Sequence, residues 1–298
     1  MGTIGIDLGG TTLSAGLVSQ SGDITLRYTV DTDHSGADAI IEQICQLVRR
    51  IRGQSEQNTP TQVGIAIPGW VDSRRGQVVT CPNIPLQGVS LASEVSSALG
   101  CKVLLENDAN CATLGEQKFG AAKDCQNLIL LTLGTGLGGG AMVNGQLLSG
   151  VGSTEFGHIL LVRGGLPCGC GRHGCREVYC STTALLRMAN EHSSQHHYRR
   201  AKELFAALAA GDAEAQAAFS EYLGYLADTI IDLITAFRPE KVLLGGGITG
   251  AGDALFLPLR AEVDKLCQGY IGGFDLPPIL PAQNGNDAGI LGAAALFF

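Results

Sequence analysis

A histidine and three cysteines stand close enough along the chain to share one metal ion. His158 is followed by Cys168, Cys170 and Cys175, a C-x-C-x4-C spacing with glycines between the thiols. Thiolate and imidazole are the donors that zinc takes in closed tetrahedral sites, so this Cys3His set reads as a structural zinc centre. His173 and Cys180 are near enough to replace one ligand, and a redox pair or plain buried thiols would be the metal-free alternative. The chain holds ten cysteines, and Cys45, Cys81, Cys101, Cys111, Cys125 and Cys267 are scattered among apolar or helical residues. Those six read as small buried side chains.

A second chemistry is suggested by glycine. Three clusters each follow an apolar run: Asp7-Leu8-Gly9-Gly10-Thr11-Thr12, Leu133-Gly134-Thr135-Gly136-Leu137-Gly138-Gly139-Gly140, and Leu244-Gly245-Gly246-Gly247. Glycine lets backbone amides turn toward phosphate oxygens, and threonine hydroxyls add donors. Asp7, at the end of the first apolar run, could hold Mg2+ through water. A tight hairpin explains any one cluster alone. The recurrence of the pattern at strand ends more than a hundred residues apart favours phosphate binding. Neither the Walker lysine nor the dinucleotide spacing is present, which excludes P-loop and Rossmann sites.

Asp108 is the candidate acid–base group. It stands in Glu106-Asn107-Asp108-Ala109-Asn110, between an expected strand and an expected helix. Aspartate at a helix start is commonly a cap. Transfer of a phosphoryl group to an alcohol, however, needs a carboxylate to accept the hydroxyl proton.

The elements that must position these residues follow from periodicity. Thr3–Asp7, Leu13–Val18, Ile24–Val30, Val63–Ile67, Lys102–Leu105, Leu128–Leu133, Gly139–Val143, Gln146–Leu148 and Lys241–Leu244 read as strands. Helices are expected around Ile40–Ile51, Leu91–Leu99, Asp108–Lys118, through most of Thr182–Phe237, and over Ala288–Phe298, with a polar loop at Gly53–Thr61. Gly150–Glu177 has little regular period, and His192–Arg200 reads as a solvated helix connection. The strand pattern partly restarts after Gly120, which suggests a topological repeat. The expected fold is α/β, in two domains with a cleft between them: 1–118 plus 288–298, and 119–287.

At 298 residues, with 45% hydrophobic and 16% charged residues, the chain has the profile of a compact two-domain protein. A net charge of −8 argues against nucleic-acid or anionic-membrane partners. No apolar run approaches a membrane span. Met1 leads at once into strand-like residues, so a cytoplasmic protein without a signal peptide is expected.

These motifs resemble those of the ROK sugar kinases, within the actin-like ATPase superfamily. Asp7–Thr12 looks like the superfamily's first phosphate motif, Gly134–Gly140 like its second, and Gly245–Gly247 like its adenosine motif. Thr12 stands where ROK kinases usually carry lysine. The histidine followed by C-x-C-G-x-x-G-C-x-E is similar to the ROK signature, and the likeness runs over essentially the whole chain. The resemblance implies the two-domain actin-like (ribonuclease H-like) fold. It implies ATP held at Asp7, Gly9, Gly10, Thr11, Thr12, Gly134, Thr135, Gly136, Gly246 and Gly247, with Mg2+, and structural Zn2+ on His158, Cys168, Cys170 and Cys175. Asp108 is then the general base, and Gly69, Asn83, Asn107, Asp108, Glu155, His158 and Glu177 contact the sugar.

The implied reaction is phosphorylation of a hexose at its 6-hydroxyl by a homodimer or homotetramer. Glucose is favoured, with N-acetylglucosamine or N-acetylmannosamine as the alternative. Some similar proteins are sugar-sensing repressors that carry a DNA-binding segment ahead of the first phosphate motif. The acidic charge makes that the remote reading.

Overall fold

The computed structural model describes residues 2–55, 60–268 and 275–298, so the middle of the expected loop Gly53–Thr61 lies outside the described residues. The chain opens with β1 (Thr3–Leu8), β2 (Thr12–Val18) and β3 (Ile24–Asp31), followed by α1 (Ala37–Gln54). Ile40, Ile44, Leu47, Val48 and Ile51 form the buried stripe of α1, as the three-to-four spacing requires. Then come β4 (Gln62–Ile67), a short hairpin of β5 (Trp70–Asp72) and β6 (Gln77–Thr80), α2 (Leu91–Leu99), β7 (Lys102–Asn107) and α3 (Asp108–Phe119). The β5–β6 hairpin was not expected, because strands of three and four residues are too short to show alternation.

The first sheet is ordered β3-β2-β1-β4-β7. β1 and β2 pair antiparallel, as do β2 and β3, whereas β1, β4 and β7 run parallel. The parallel strands are apolar on both faces and almost wholly buried, as strands covered on two sides must be. Edge strand β3 instead alternates half-buried and exposed positions.

The pattern then restarts with β8 (Leu128–Leu133), β9 (Leu137–Val143) and β10 (Gln146–Leu147). Helices α4 (Glu177–Cys180), α5 (Thr182–His192), α6 (Ala201–Ala209) and α7 (Ala213–Phe237) follow. β11 (Lys241–Gly245), α8 (Asp253–Cys267), β12 (Ile279–Pro281) and α9 (Ala288–Ala295) come last. β8, β11 and β12 run parallel, and β9 pairs antiparallel with β10. A central strand with a hairpin on one side and parallel strands on the other is the plan of the first sheet as well. Helix α8 was not expected, because it carries Pro258 in its interior, where a helix normally breaks.

The chain divides into two compact units. One comprises Met1–Gln126, Gly140–Thr154 and Gln283–Phe298; the other comprises Asn127–Gly139 and Glu155–Ala282. The expected division differs in assigning 119–126, 140–154 and 283–287 to the second domain. Among the described residues no helix is long and apolar enough to cross a membrane.

Candidate active site

In the first unit the parallel strands end side by side. Asp7 pairs with Ala66 and Ala66 with Glu106, while Ile67 pairs with Asn107. Carboxyl ends of parallel strands are where α/β sheets hold ligands. Asn107 closes β7 and caps α3, its Oδ1 accepting the Ala109 and Asn110 N–H groups at 2.9 and 3.1 Å. Its Nδ2 donates to the Gly69 carbonyl at 3.1 Å, which ties the turn after β4 to the start of α3. Asp108 is therefore the first helical residue and not the cap. It is half-buried, and its Oδ1 accepts the Ala109 N–H at 2.8 Å.

The Gly9–Thr12 segment is a hairpin in which the Gly9 N–H donates to the Thr12 carbonyl at 2.9 Å. Thr32 Oγ1 donates to the Gly9 carbonyl at 2.8 Å, and His34 Nε2 lies 2.9 Å from the Gly10 carbonyl, bracing the loop from outside. A Cβ placed on Gly10 would lie 3.6 Å from the Asn83 Cβ, so the exposed Asn83 stands beside this loop. Burial pushes the Asp7 carboxyl above its ordinary value. A Cβ on Gly289, at the start of α9, would come within 2.3 Å of Asp7 Cγ. Only glycine allows that approach.

The second unit holds a cavity of about 410 Å³, lined by Leu133, Gly134, Thr135, Thr182, Thr183, Leu186, Ala201, Lys202, Gly247 and Ile248. That volume suits a nucleotide-sized ligand. The register explains its walls. Gly245 pairs with Thr132, so the loops after β8 and β11 leave neighbouring strands at the same level. Gly246 has a φ of +96°, and a Cβ there would lie 2.2 Å from the Leu133 carbonyl oxygen. The N-terminus of α5 holds the first of these loops in place: the Thr182 N–H donates to the Gly134 carbonyl at 2.9 Å, and Thr183 Oγ1 donates to the Thr135 carbonyl at 2.8 Å. A helix start, two glycine turns and the exposed Lys202 together favour an anionic ligand.

The four expected metal ligands also converge in this unit. The donor atoms of His158, Cys168, Cys170 and Cys175 all lie within 4.8 Å of one another. Cys168 Sγ lies 3.6 Å from His158 Nδ1, and Cys170 Sγ lies 3.7 Å from Cys175 Sγ. Tetrahedral coordination with metal–sulfur bonds of about 2.3 Å separates sulfurs by about 3.8 Å, so the donor set fits a zinc-sized ion. Burial raises the Cys168 thiol to about 12, a cost that a bound cation would offset. Among the described residues the converging donors include neither His173 nor Cys180, whose Sγ lies 3.3 Å from Thr229 Oγ1. His158 directs Nδ1 at the thiols, and its Nε2 lies 3.9 Å from Glu155 Oε2. Glu177 Oε2 accepts the Leu137 N–H at 3.2 Å.

The ROK family profile matches residues 3–298. The chain belongs to the ROK family. It is 38% identical to a glucokinase of Thermotoga maritima, with 98% of this chain and 96% of that one aligned. It is 31% identical to an N-acetyl-D-glucosamine kinase of Escherichia coli, with 98% of each covered. Among solved structures it is similar to a ROK family glucokinase from Streptomyces griseus in complex with glucose and AMPPNP: 35% identity, a TM-score of 0.80, and 99% of both chains covered. The fold is that of the actin-like ATPases, as its structural neighbours have it.

In this ROK chain Asp7, Gly9, Gly10, Thr11, Thr12, Gly69, Asn83, Asn107 and Asp108 lie in the first unit. Gly134, Thr135, Gly136, Glu155, His158, the three clustered cysteines, Glu177, Gly246 and Gly247 lie in the second. Sequence reasoning missed Gly289, Thr182, Thr183, Lys202 and His34. Gly289 and Lys202 carry no local signal, since each is defined by what another element brings against it. Thr182 and Thr183 could have been found from Ser181, whose side chain caps α5 by accepting the Ala184 N–H at 3.1 Å. Of the six cysteines expected to be buried, Cys267 is only half-buried.

Proposed function

We propose that this protein transfers the γ-phosphoryl group of ATP to the 6-hydroxyl of glucose. The observation that carries the reading is the start of α3. Asn107 supplies the cap, so Asp108 is not needed to end the helix, and a carboxylate in the first turn is electrostatically favoured there. In that position Asp108 accepts the proton of the attacking hydroxyl as the oxygen–phosphorus bond forms. The residues proposed to contact the sugar are Gly69, Asn83, Asn107, Asp108, Glu155, His158 and Glu177. With Nδ1 turned to the thiols, His158 keeps Nε2–H for a hydroxyl or for Glu155.

Gly134, Thr135, Gly136, Gly246, Gly247 and the start of α5 hold the nucleotide. Gly10, Thr11 and Thr12 present the first loop to its phosphates, with the Gly9 amide already spent on the hairpin. Mg2+, bound near Asp7 through water, would neutralise charge on the phosphates. Zn2+ on His158, Cys168, Cys170 and Cys175 would be structural, shaping the loop that presents Glu155 and Glu177. The protein works in the cytoplasm, where thiols stay reduced, as a homodimer or homotetramer; nucleic acid and membranes are not partners of so acidic a chain.

N-acetylglucosamine or N-acetylmannosamine kinase is the second reading, favoured by the Escherichia coli relative. A coupled-enzyme assay with ATP over glucose, mannose, N-acetylglucosamine and N-acetylmannosamine tests both. The expected result is highest kcat/KM for glucose. No turnover with any hexose would overturn the proposal.

A further inference from the structure

Glu106 is a buried carboxylate that the reaction itself does not use, with only 3% of its surface exposed. Three donors surround it. Ser73 Oγ donates to Oε2 at 2.7 Å, while the Asn107 N–H and the Asn110 side-chain amide donate to Oε1 at 2.9 and 3.1 Å. Asn110 turns its NH2 toward Glu106, whose Oε1 also accepts the Asn107 N–H. Its Oδ1 then faces the other way, where it accepts the Thr154 hydroxyl at 2.9 Å. Asn110 has no exposed surface, so neither half of its amide can turn to solvent instead.

We infer that Glu106 is a positioning residue: through the Asn107 peptide it sets the start of α3, with Asp108, and through Asn110 it sets the chain at Thr154, one residue before Glu155. The inference rests on the reading of Asp108 as base and Glu155 as sugar ligand. A buried carboxylate is costly unless its acceptors are filled, and here the Ser73, Asn107 and Asn110 donors fill them. The polarity is set at Glu106, because turning the Asn110 amide over would place its Oδ1 against the carboxylate oxygen, acceptor against acceptor. One side chain thereby orients two segments far apart in sequence, each leading directly into a residue assigned to the sugar.

The polarity gives the test its sharpness. In Glu106→Gln the amide oxygen can keep the Asn107 and Asn110 contacts, and its NH2 meets Ser73, whose hydroxyl can rotate to accept. In Glu106→Ala the Asn110 NH2 loses the acceptor that fixes it. Steady-state kinetics should show kcat lowered about tenfold or more in Glu106→Ala, since small misplacement of a catalytic group is expensive. Glu106→Gln should recover most of that loss, with the KM for ATP the same in both. Thr154→Val, which removes only the terminal hydroxyl, should weaken sugar binding about five- to tenfold, the size of one lost hydrogen bond, with nucleotide affinity kept.

Should Glu106→Ala fail to fold, Thr154→Val decides. Wild-type sugar affinity in Thr154→Val, or a Gln variant as damaged as the Ala variant, would overturn the inference. Calorimetric sugar binding reads the Thr154 arm without turnover. An inert wild-type enzyme would thus sink the kinase reading and still leave this arm to decide the inference.

Discussion

Glu177 Oε2 accepts the Leu137 N–H at 3.2 Å, which joins the metal loop to the second glycine loop. Its Oε1 lies 3.7 Å from Cys168 Sγ, so the same carboxylate touches the thiol cluster. Sequence spacing placed the phosphate loops apart from the metal loop, and in the fold one side chain bridges them.

The first prediction concerns that link. Metal analysis of the purified protein should give one zinc per chain. Cys175→Ala should lose sugar affinity, because Glu155, His158 and Glu177 all depend on the loop. Nucleotide affinity should fall only a few-fold, through Leu137, as expected for one hydrogen bond of about 1 kcal/mol. Structural zinc contributes about 10–16 kcal/mol in small zinc-finger peptides, whereas here the two sheets should survive its loss, as circular dichroism will show. A zinc-free wild-type protein with full activity would refute the assignment.

Asp108→Asn tests the base. The amide keeps the size of the side chain and an acceptor for the Ala109 N–H. Sugar affinity by calorimetry should stay near wild type while kcat falls about 10²–10⁴-fold, the usual worth of a general base. A variant that keeps more than about a tenth of wild-type kcat would rule out proton acceptance by Asp108.

Asp7 gives a prediction with two opposite signs. Burial holds its carboxyl above the ordinary value of 3.8, so the folded protein binds that proton more tightly than the unfolded chain does. By linkage, the contribution of Asp7 to stability falls as pH rises from 3.8 through the raised value. Asp7→Asn removes this penalty and should melt higher than wild type at pH 7, with the gap closing as pH falls toward 3.8. Activity should move the other way, down about a hundredfold or more, if the carboxylate serves the metal–phosphate end of the reaction. Equal melting temperatures at pH 7 in the absence of nucleotide would contradict the account.

Lys202 lines the second-unit cavity from α6. Lys202→Ala should weaken binding of a non-hydrolysable ATP analogue about three- to tenfold at low ionic strength, and less as salt screens the exposed ammonium. Sugar affinity should not change. An unchanged analogue affinity at low salt would remove Lys202 from the nucleotide site.

Much of the site could be read along the chain because its parts are local. The spacing from Cys168 to Cys175 confines three thiols to one loop, and the glycines after Leu133 and Leu244 announce close backbone approach wherever those strands lie. Apolar runs of strand length gave β1, β4, β7 and β8, since strands buried on both faces need no partner to be recognised. The start of α3 at Asp108 was legible, though its cap was not. Whether Asn107 or Asp108 caps it depends on which side chain meets the amides, and propensity ranks the two almost equally. Tertiary structure alone decided the rest. It set Gly289 against Asp7, turned Glu177 to Leu137, left His173 and Cys180 outside the thiol cluster, and threaded Glu106 through Asn110 to Thr154. Each of these joins positions that chain order leaves unrelated, and their distances follow from how helices and strand ends pack, which local spacing does not encode.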